Sequence, residues 1–301
     1  MKATEILRAL KDGKEVRLDG VVVTGDLDLA ALPPLPPMNG RTTVSGLPSD
    51  FVEVEGEALR RIRGPLSIRD SVVRGRISTN LKSGHLVVQG PVTFTGTLFE
   101  RAVDLSRSVF LESVDVSGTV FLRECLFVQA DFLKPARFEK TAFGPRTRFH
   151  KARFRDTVSF VRAGFNGMGE FLEVTFDRDA IFSRTYFKQG TGFSGSRFRG
   201  MLDFSEALFE REAFFTYTIF ERDAYFRRAT FRGQADFSDA EFRGVDDFSK
   251  VLFEKEPRFI RTKTSGRRPG LGGLHDPGIL YGIAGALLIF TLLFVFVLRK
   301  G

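Results

Sequence analysis

From residue 132 onward the large apolar positions fall on a fixed ruler. Phe132, Phe138, Phe143, Phe149, Phe154, Phe160 and Phe165 open a series that runs in one frame through Phe198 to Phe253 and Phe259. The gaps alternate six and five without a slip. Upstream the frame continues with Phe127, Phe121, Val116, Phe110, Leu105, Phe99, Phe94 and Val88. An amphipathic helix needs spacings of three and four, and a half-buried strand needs strict alternation, so neither fits. A step of five to six residues matches one short strand plus a corner, repeated as a solenoid. Two residues before most of these Phe stands a small or apolar residue, such as Ala136, Ala152, Ala163, Ala180, Ala207 or Ala235. Residues two apart on a strand share a side, so both face inward and the polar residues between them face water.

Charge sets the length of one coil. The residue after every fourth Phe reads Arg155, Asp177, Arg199, Glu221, Arg243, and the interleaved set reads Lys188, Glu210, Arg232, Glu254. Each neighbour along either series is 22 residues away and opposite in sign. Strands stacked ~4.8 Å apart gain from such pairing and lose from like charges. The pattern therefore predicts four sides and 22 residues per coil. Val88 to Phe259 is then nearly eight coils, a rod of roughly 38 Å at ~4.8 Å per coil.

These residues resemble the pentapeptide-repeat family, whose chains wind a right-handed four-sided β-helix with Leu or Phe at the central inward position and Ala two before it. The stretches Ala235-Asp236-Phe237-Ser238-Asp239-Ala240-Glu241-Phe242 and Ala152-Arg153-Phe154 carry the resemblance. One residue is added at every second side, and Phe is used nearly throughout. Some members resemble duplex DNA and act on DNA gyrase, but their rods are strongly acidic.

The expected fold is thus mainly β. A short capping helix and first partial coil occupy 1–30, a Pro-rich irregular insertion 31–64 and the β-helix 65–260. A basic linker over 261–277 and a transmembrane helix over 278–299 complete it. Ala3, Ile6, Leu7 and Leu10 share one helical face and Gly13 can end it. Glu5 and Arg8 exclude a secretory signal there. Leu18, Val23 and Leu29 repeat the five–six step as a partial coil. "LPPLPPMNG" cannot continue a ladder and reads as an insertion looping out of the solenoid. Leu66, Val72 and Ile77 are expected to rejoin the frame of Val88 and Phe94, with only Ser83 out of character.

The second strong signal is Ile279 through Leu298, 20 consecutive uncharged, mostly apolar residues. That is the length that crosses the ~30 Å hydrocarbon layer. Tyr281 stands near one end and Arg299-Lys300 at the other, as interface anchors. Arg261, Lys263, Arg267 and Arg268 precede the run, and the positive-inside rule then puts the solenoid in the cytoplasm. With three residues beyond Leu298 the run reads as a single-pass tail anchor. Gly278, Gly282 and Ala286 form a small-xxx-small row that lets two such helices approach. The expected location is the cell membrane, with lipid as one partner, a protein of unspecified identity as another, and a homodimer within reach.

Net charge is +8, which raises the question of nucleic acid. Between Val88 and Phe259, however, 26 Lys and Arg face 25 Asp and Glu, so the rod itself is near neutral and nucleic acid is not the expected partner. One basic run stands out within it: Lys134, Arg137, Lys140, Arg146, Arg148, Lys151, Arg153 and Arg155. It reads either as an anion- or partner-binding surface or as a solvated face of charge ladders. The single Cys125 permits no internal disulfide, and His85, His150 and His275 share no ligand spacing. No catalytic constellation and no cofactor fingerprint is present, so neither an enzyme nor a cofactor is expected. The first functional expectation is a membrane-tethered scaffold that displays a rigid face. Alternatives are an accessory subunit of a membrane channel or transporter, and a gyrase regulator.

Overall fold

The computed structural model describes residues 1–35, 44–51, 58–81 and 83–265. Among them, short parallel strands stack into four sheets of ten, ten, nine and ten strands. Each sheet is one side of a four-sided β-helix wound in the right-handed sense. The first side runs from Val16–Asp19 to Asp246–Asp247, the second from Val22–Val23 to Leu252–Phe253. The third runs from Leu27–Asp28 to Ala235–Asp236, and the fourth from Leu59–Ile62 to Lys263–Thr264. From residue 88 on, ladder partners are 22 residues apart, as in Leu98 with Val120 and Phe132 with Phe154.

The Phe frame is the core. Phe138, Phe143, Phe149 and Phe154 each have 0–1% exposure, and the same holds coil after coil to Phe237. Within a column the rings stack, as in Phe138 on Phe160 at 4.7 Å and 8°. Across the coil they meet edge to face, as in Phe138 with Phe149 at 5.5 Å and 88°. Both are the geometries that the ring quadrupole favours. Where Thr replaces Ala two before the Phe, its buried hydroxyl stitches coils together. Thr141, Thr185 and Thr218 donate to the carbonyls of Val116, Phe160 and Phe193 at 2.8–2.9 Å.

The alternating step length reflects two kinds of corner. The five-residue corners, from the first side to the second and from the third to the fourth, each place one residue at positive φ. Lys140, Lys151, Arg162, Glu173 and Arg184 sit there at 54–59°. The six-residue corners use the extra residue instead, and where their backbone does reach positive φ the residue is glycine, Gly25 at 86° and Gly190 at 100°.

Helix α1 (Ala3–Lys11) covers the first coil, burying Ala3, Ile6 and Leu10, and Glu5 Oε2 accepts from the Lys2 amide at 2.9 Å. Leu18 and Val23 belong to a first coil, paired with Ile68 and Val73. The frame of the next coil differs from expectation. Leu66 pairs with Val92 rather than Val88, and Val73 rather than Val72 is the buried residue of its strand. Nine residues separate inward Thr79 from inward Val88, where later coils use five, as from Leu105 to Phe110. The extra four, around Ser83-Gly84, lengthen that coil to 26, the spacing of Leu66 and Val92. Residues 59–62, inside the segment expected to be irregular, form the strand that closes the first coil.

Candidate interaction surface

Alternation along each strand turns the outside of the solenoid into columns of side chains, one residue per coil. The eight basic residues singled out in the sequence span one such coil, so they encircle it instead of forming a patch. Arg137 lies on the first side, Arg146 and Arg148 on the third, and Arg153 on the fourth. Lys134, Lys140, Lys151 and Arg155 occupy corners.

Most are neutralised by the coil above or below. Arg137 faces Asp115 at 3.9 Å, Arg148 meets Glu170 at 3.1 Å and Lys151 meets Glu173 at 3.6 Å. Arg146 pairs with Glu124. The long-range sign alternation read from the sequence is present in part. Asp177–Arg199 at 2.7 Å, Glu210–Arg232 at 2.8 Å and Arg232–Glu254 at 3.4 Å are ion pairs. Arg155 turns instead to Asp131 at 2.8 Å and Arg197 to Glu221 at 2.8 Å, diagonal partners on the fourth side.

The fourth side carries a feature that sequence reasoning missed. Residues 44–51, part of the insertion, lie back over its outside as a strap. Val44, Leu47 and Phe51 pack on an outward cluster of Leu59, Val87, Val109 and Leu111 with Leu133 at its edge. Phe51 meets His85 edge to face at 5.2 Å. Beyond that cluster Asp50 closes the strap, bonding Arg153 at 2.6 Å and Arg155 at 2.8 Å. Arg153, and after it Arg155, hold the Asp50 carboxyl below the usual aspartate range. Burial opposes the Arg153 charge, but Asp177 and Asp50 outweigh it and raise its pKa. A network Asp131–Arg155–Asp50–Arg153–Asp177–Arg199 results. Lys134 and Arg155 line a cleft of ≈470 Å³ between strap and corner, with Gly46, Pro48 and Leu133.

The second side differs from the rest in its central outward column. From coil to coil it reads Val22, Val72, Leu98, Val120, Ala142, Gly164, Tyr186, Leu208, Thr230, Leu252, without one charge. The equivalent column of the first side contains Asp115, Arg137, Asp203 and Asp247. That of the third contains Asp104, Arg148, Glu170 and Asp236. Val22 is 42% exposed, and the rest of the column is half-buried by its own neighbours. The signal was readable, as the residue before every fourth Phe, once the coil length was known.

Nothing among the described residues resembles a reaction centre. No group of three or more His, Cys, Asp or Glu is placed there to hold a metal. Cys125 is fully buried on the third side, and burial, then Asp104, pushes its thiol well above its usual pKa. The membrane-anchor residues Ile279, Tyr281, Leu298, Arg299 and Lys300 and the row Gly278, Gly282 and Ala286 lie outside the described residues. Among the described residues, no helix is long and apolar enough to cross a membrane.

A family model for pentapeptide repeats (9 copies) matches the chain over 88–142, 117–164, 171–219 and 215–263. No curated protein and no solved structure matches it in the corresponding comparisons.

Proposed function

This chain belongs to the pentapeptide-repeat family, and from that premise we propose that it is a non-enzymatic scaffold tethered to the cytoplasmic face of a membrane. Its rigid sides present columns of side chains to a protein partner. The observation that carries the tether is the 20-residue uncharged run from Ile279 to Leu298, flanked by Arg267 and Arg268 before it and Arg299-Lys300 after it. A run of that length and composition suits a bilayer span, and a Phe-filled solenoid offers no second core to bury it. Tyr281 and the terminal bases are its interface anchors. Two copies associate, in this reading, through Gly278, Gly282 and Ala286.

Support for display over catalysis comes from the core. Stacked Phe columns and coil-to-coil hydrogen bonds fix the backbone, so the outward columns keep their spacing. The test is fractionation of cells expressing the full chain and a version ending at Ser265, which keeps the last strand, with protease added to intact spheroplasts. The full chain is expected to sediment with membrane and resist outside protease, and the shorter one to become soluble. A soluble full chain sinks the tether, and cleavage from outside sinks the orientation.

A further inference from the structure

We propose that the second side is a membrane-docking surface that lays the rod flat on an anionic bilayer, an inference that rests on the tether reading and gives it a geometry. The uncharged column from Val22 to Leu252 runs over ten stacked strands. At ~4.8 Å per strand it is roughly 43 Å long. Where the fourth side has outward Val87, Val109 and Leu111, the chain covers them with its own strap. Tyr186 apart, the outward column of the second side receives no such cover among the described residues.

Charge along its two edges selects the occupant. On one edge Glu206 is taken by Arg184 at 2.8 Å and Arg228 at 3.9 Å. On the other, Glu100 faces Arg74 at 4.0 Å, and Arg232 takes Glu210 at 2.8 Å and Glu254 at 3.4 Å. Lys140, Arg162, Lys188 and Lys250 are exposed and form no ion pair among the described residues, as do two acids, exposed Asp70 and half-buried Glu139. The surplus along the stripe is therefore cationic, matching anionic head groups.

A second copy fits less well. Two second sides facing each other about an axis along the rod oppose Arg184 to Lys188, Glu206 to Glu210 and Arg228 to Arg232. About an axis across the rod, the edge of Lys140, Arg162, Arg184, Arg228 and Lys250 meets itself. A flat face with half-buried Val and Leu side chains inserts only shallowly, at the depth where aliphatic groups meet head groups. Each Lys or Arg near such a surface strengthens attachment about fivefold.

The buried Cys125 leaves the full chain free of a reactive thiol among the described residues, so one introduced cysteine reports one side. Leu208→Cys on the second side and Phe214→Cys, 37% exposed on the third, carry a polarity-sensitive dye. Both proteins are reconstituted into phosphatidylcholine vesicles with and without phosphatidylglycerol. The expected result is a blue shift at position 208 only when phosphatidylglycerol is present, with none at 214. In the full chain, Lys140→Gln, Arg162→Gln and Lys250→Gln together lower the docked population about a hundredfold and abolish the shift, while flotation on phosphatidylcholine persists. Failure to float with phosphatidylcholine vesicles refutes the tether alone. An unshifted dye at 208 on phosphatidylglycerol vesicles refutes the docking and leaves this stripe to a protein, and so does an equal shift at 208 and 214.

Discussion

Phe198→Ala tests the core at its most regular point. The ring is 1% exposed and lies between Phe176 at 4.5 Å and 4° and Phe220 at 5.4 Å and 12°. Phe193 touches it from the neighbouring side at 6.1 Å. Truncation removes contacts to two coils at once. The walls cannot close in, because Arg197 is laddered to Thr175 on one flank and Ile219 on the other. Such sites lie at ~3–5 kcal/mol for Phe→Ala. Phe253 is the contrast: half-buried, it stacks on Phe231 at 5.1 Å and on one flank only among the described residues. Its truncation is expected to cost about 1.5–3 kcal/mol, the value of burying one such side chain. In a domain of this size, Phe198→Ala lowers the melting midpoint by roughly 6–20 °C. Repeat arrays lose cooperativity, so the assay is circular dichroism melting of the full chain in detergent with hydrogen exchange to locate the opening coil. Early exchange should centre on the coils holding Phe176 and Phe220. If Phe253→Ala costs as much as Phe198→Ala, or exchange begins elsewhere, nearest-neighbour stacking does not govern this rod.

Two smaller perturbations follow. Thr141→Val keeps the shape but deletes the 2.9 Å bond to the Val116 carbonyl, which retains the Thr119 amide at 3.2 Å. A loss of ~0.5–1.5 kcal/mol by chemical denaturation is expected, and a cost well beyond that would mean that the hydroxyls hold coils together more strongly than the rings do. Asp50→Asn should free the strap, read as faster chymotryptic cleavage after Phe51 with the melting of the rod unchanged. Because its folded pKa is lowered, Asp50 holds the strap fully above the ordinary value of 3.8 and lets go as pH falls below it. Strap exchange that is indifferent to acid, or unaltered in the Asn variant, would refute the latch.

The Phe frame was legible because from Phe121 on an aromatic at one inward position per side repeats without exception, and the coil length because charges answer each other across it. Both signals fail before Val88. There aliphatic residues stand on inward and outward positions alike, so Val72 and Val73 cannot be told apart by type, and four extra residues break the count. The strap was illegible for another reason: Asp50 meets partners 103 and 105 residues away, and no local pattern encodes that contact. The basic run from Lys134 to Arg155, read as either a binding surface or a solvated face of charge ladders, is spread around one coil, because nearness in sequence is not nearness on a solenoid. Most of its members are spread over different sides of a single coil, with Arg153 and Arg155 converging on Asp50, whereas Lys140 and Arg162, a full coil apart, are neighbours.

That inversion bears on where function is to be sought. Inward residues are constrained by stacking, and outward residues by little beyond strand propensity and the charge of the coil on either side. A column can therefore change character along its length without disturbing the core. The fourth side does so, passing from Val87 and Val109 to Asp131 and Arg153, and the strap follows the change: apolar contacts cover the first part and Asp50 fastens to the second. The second side does not change, and ten successive uncharged residues are maintained where the other three sides admit charge freely. Stacking alone gives no reason for that restriction, since ion pairs serve the neighbouring columns equally well. A partner that contacts every coil of one side does, and an extended, flat, anionic surface is the partner whose shape and charge meet that whole column at once.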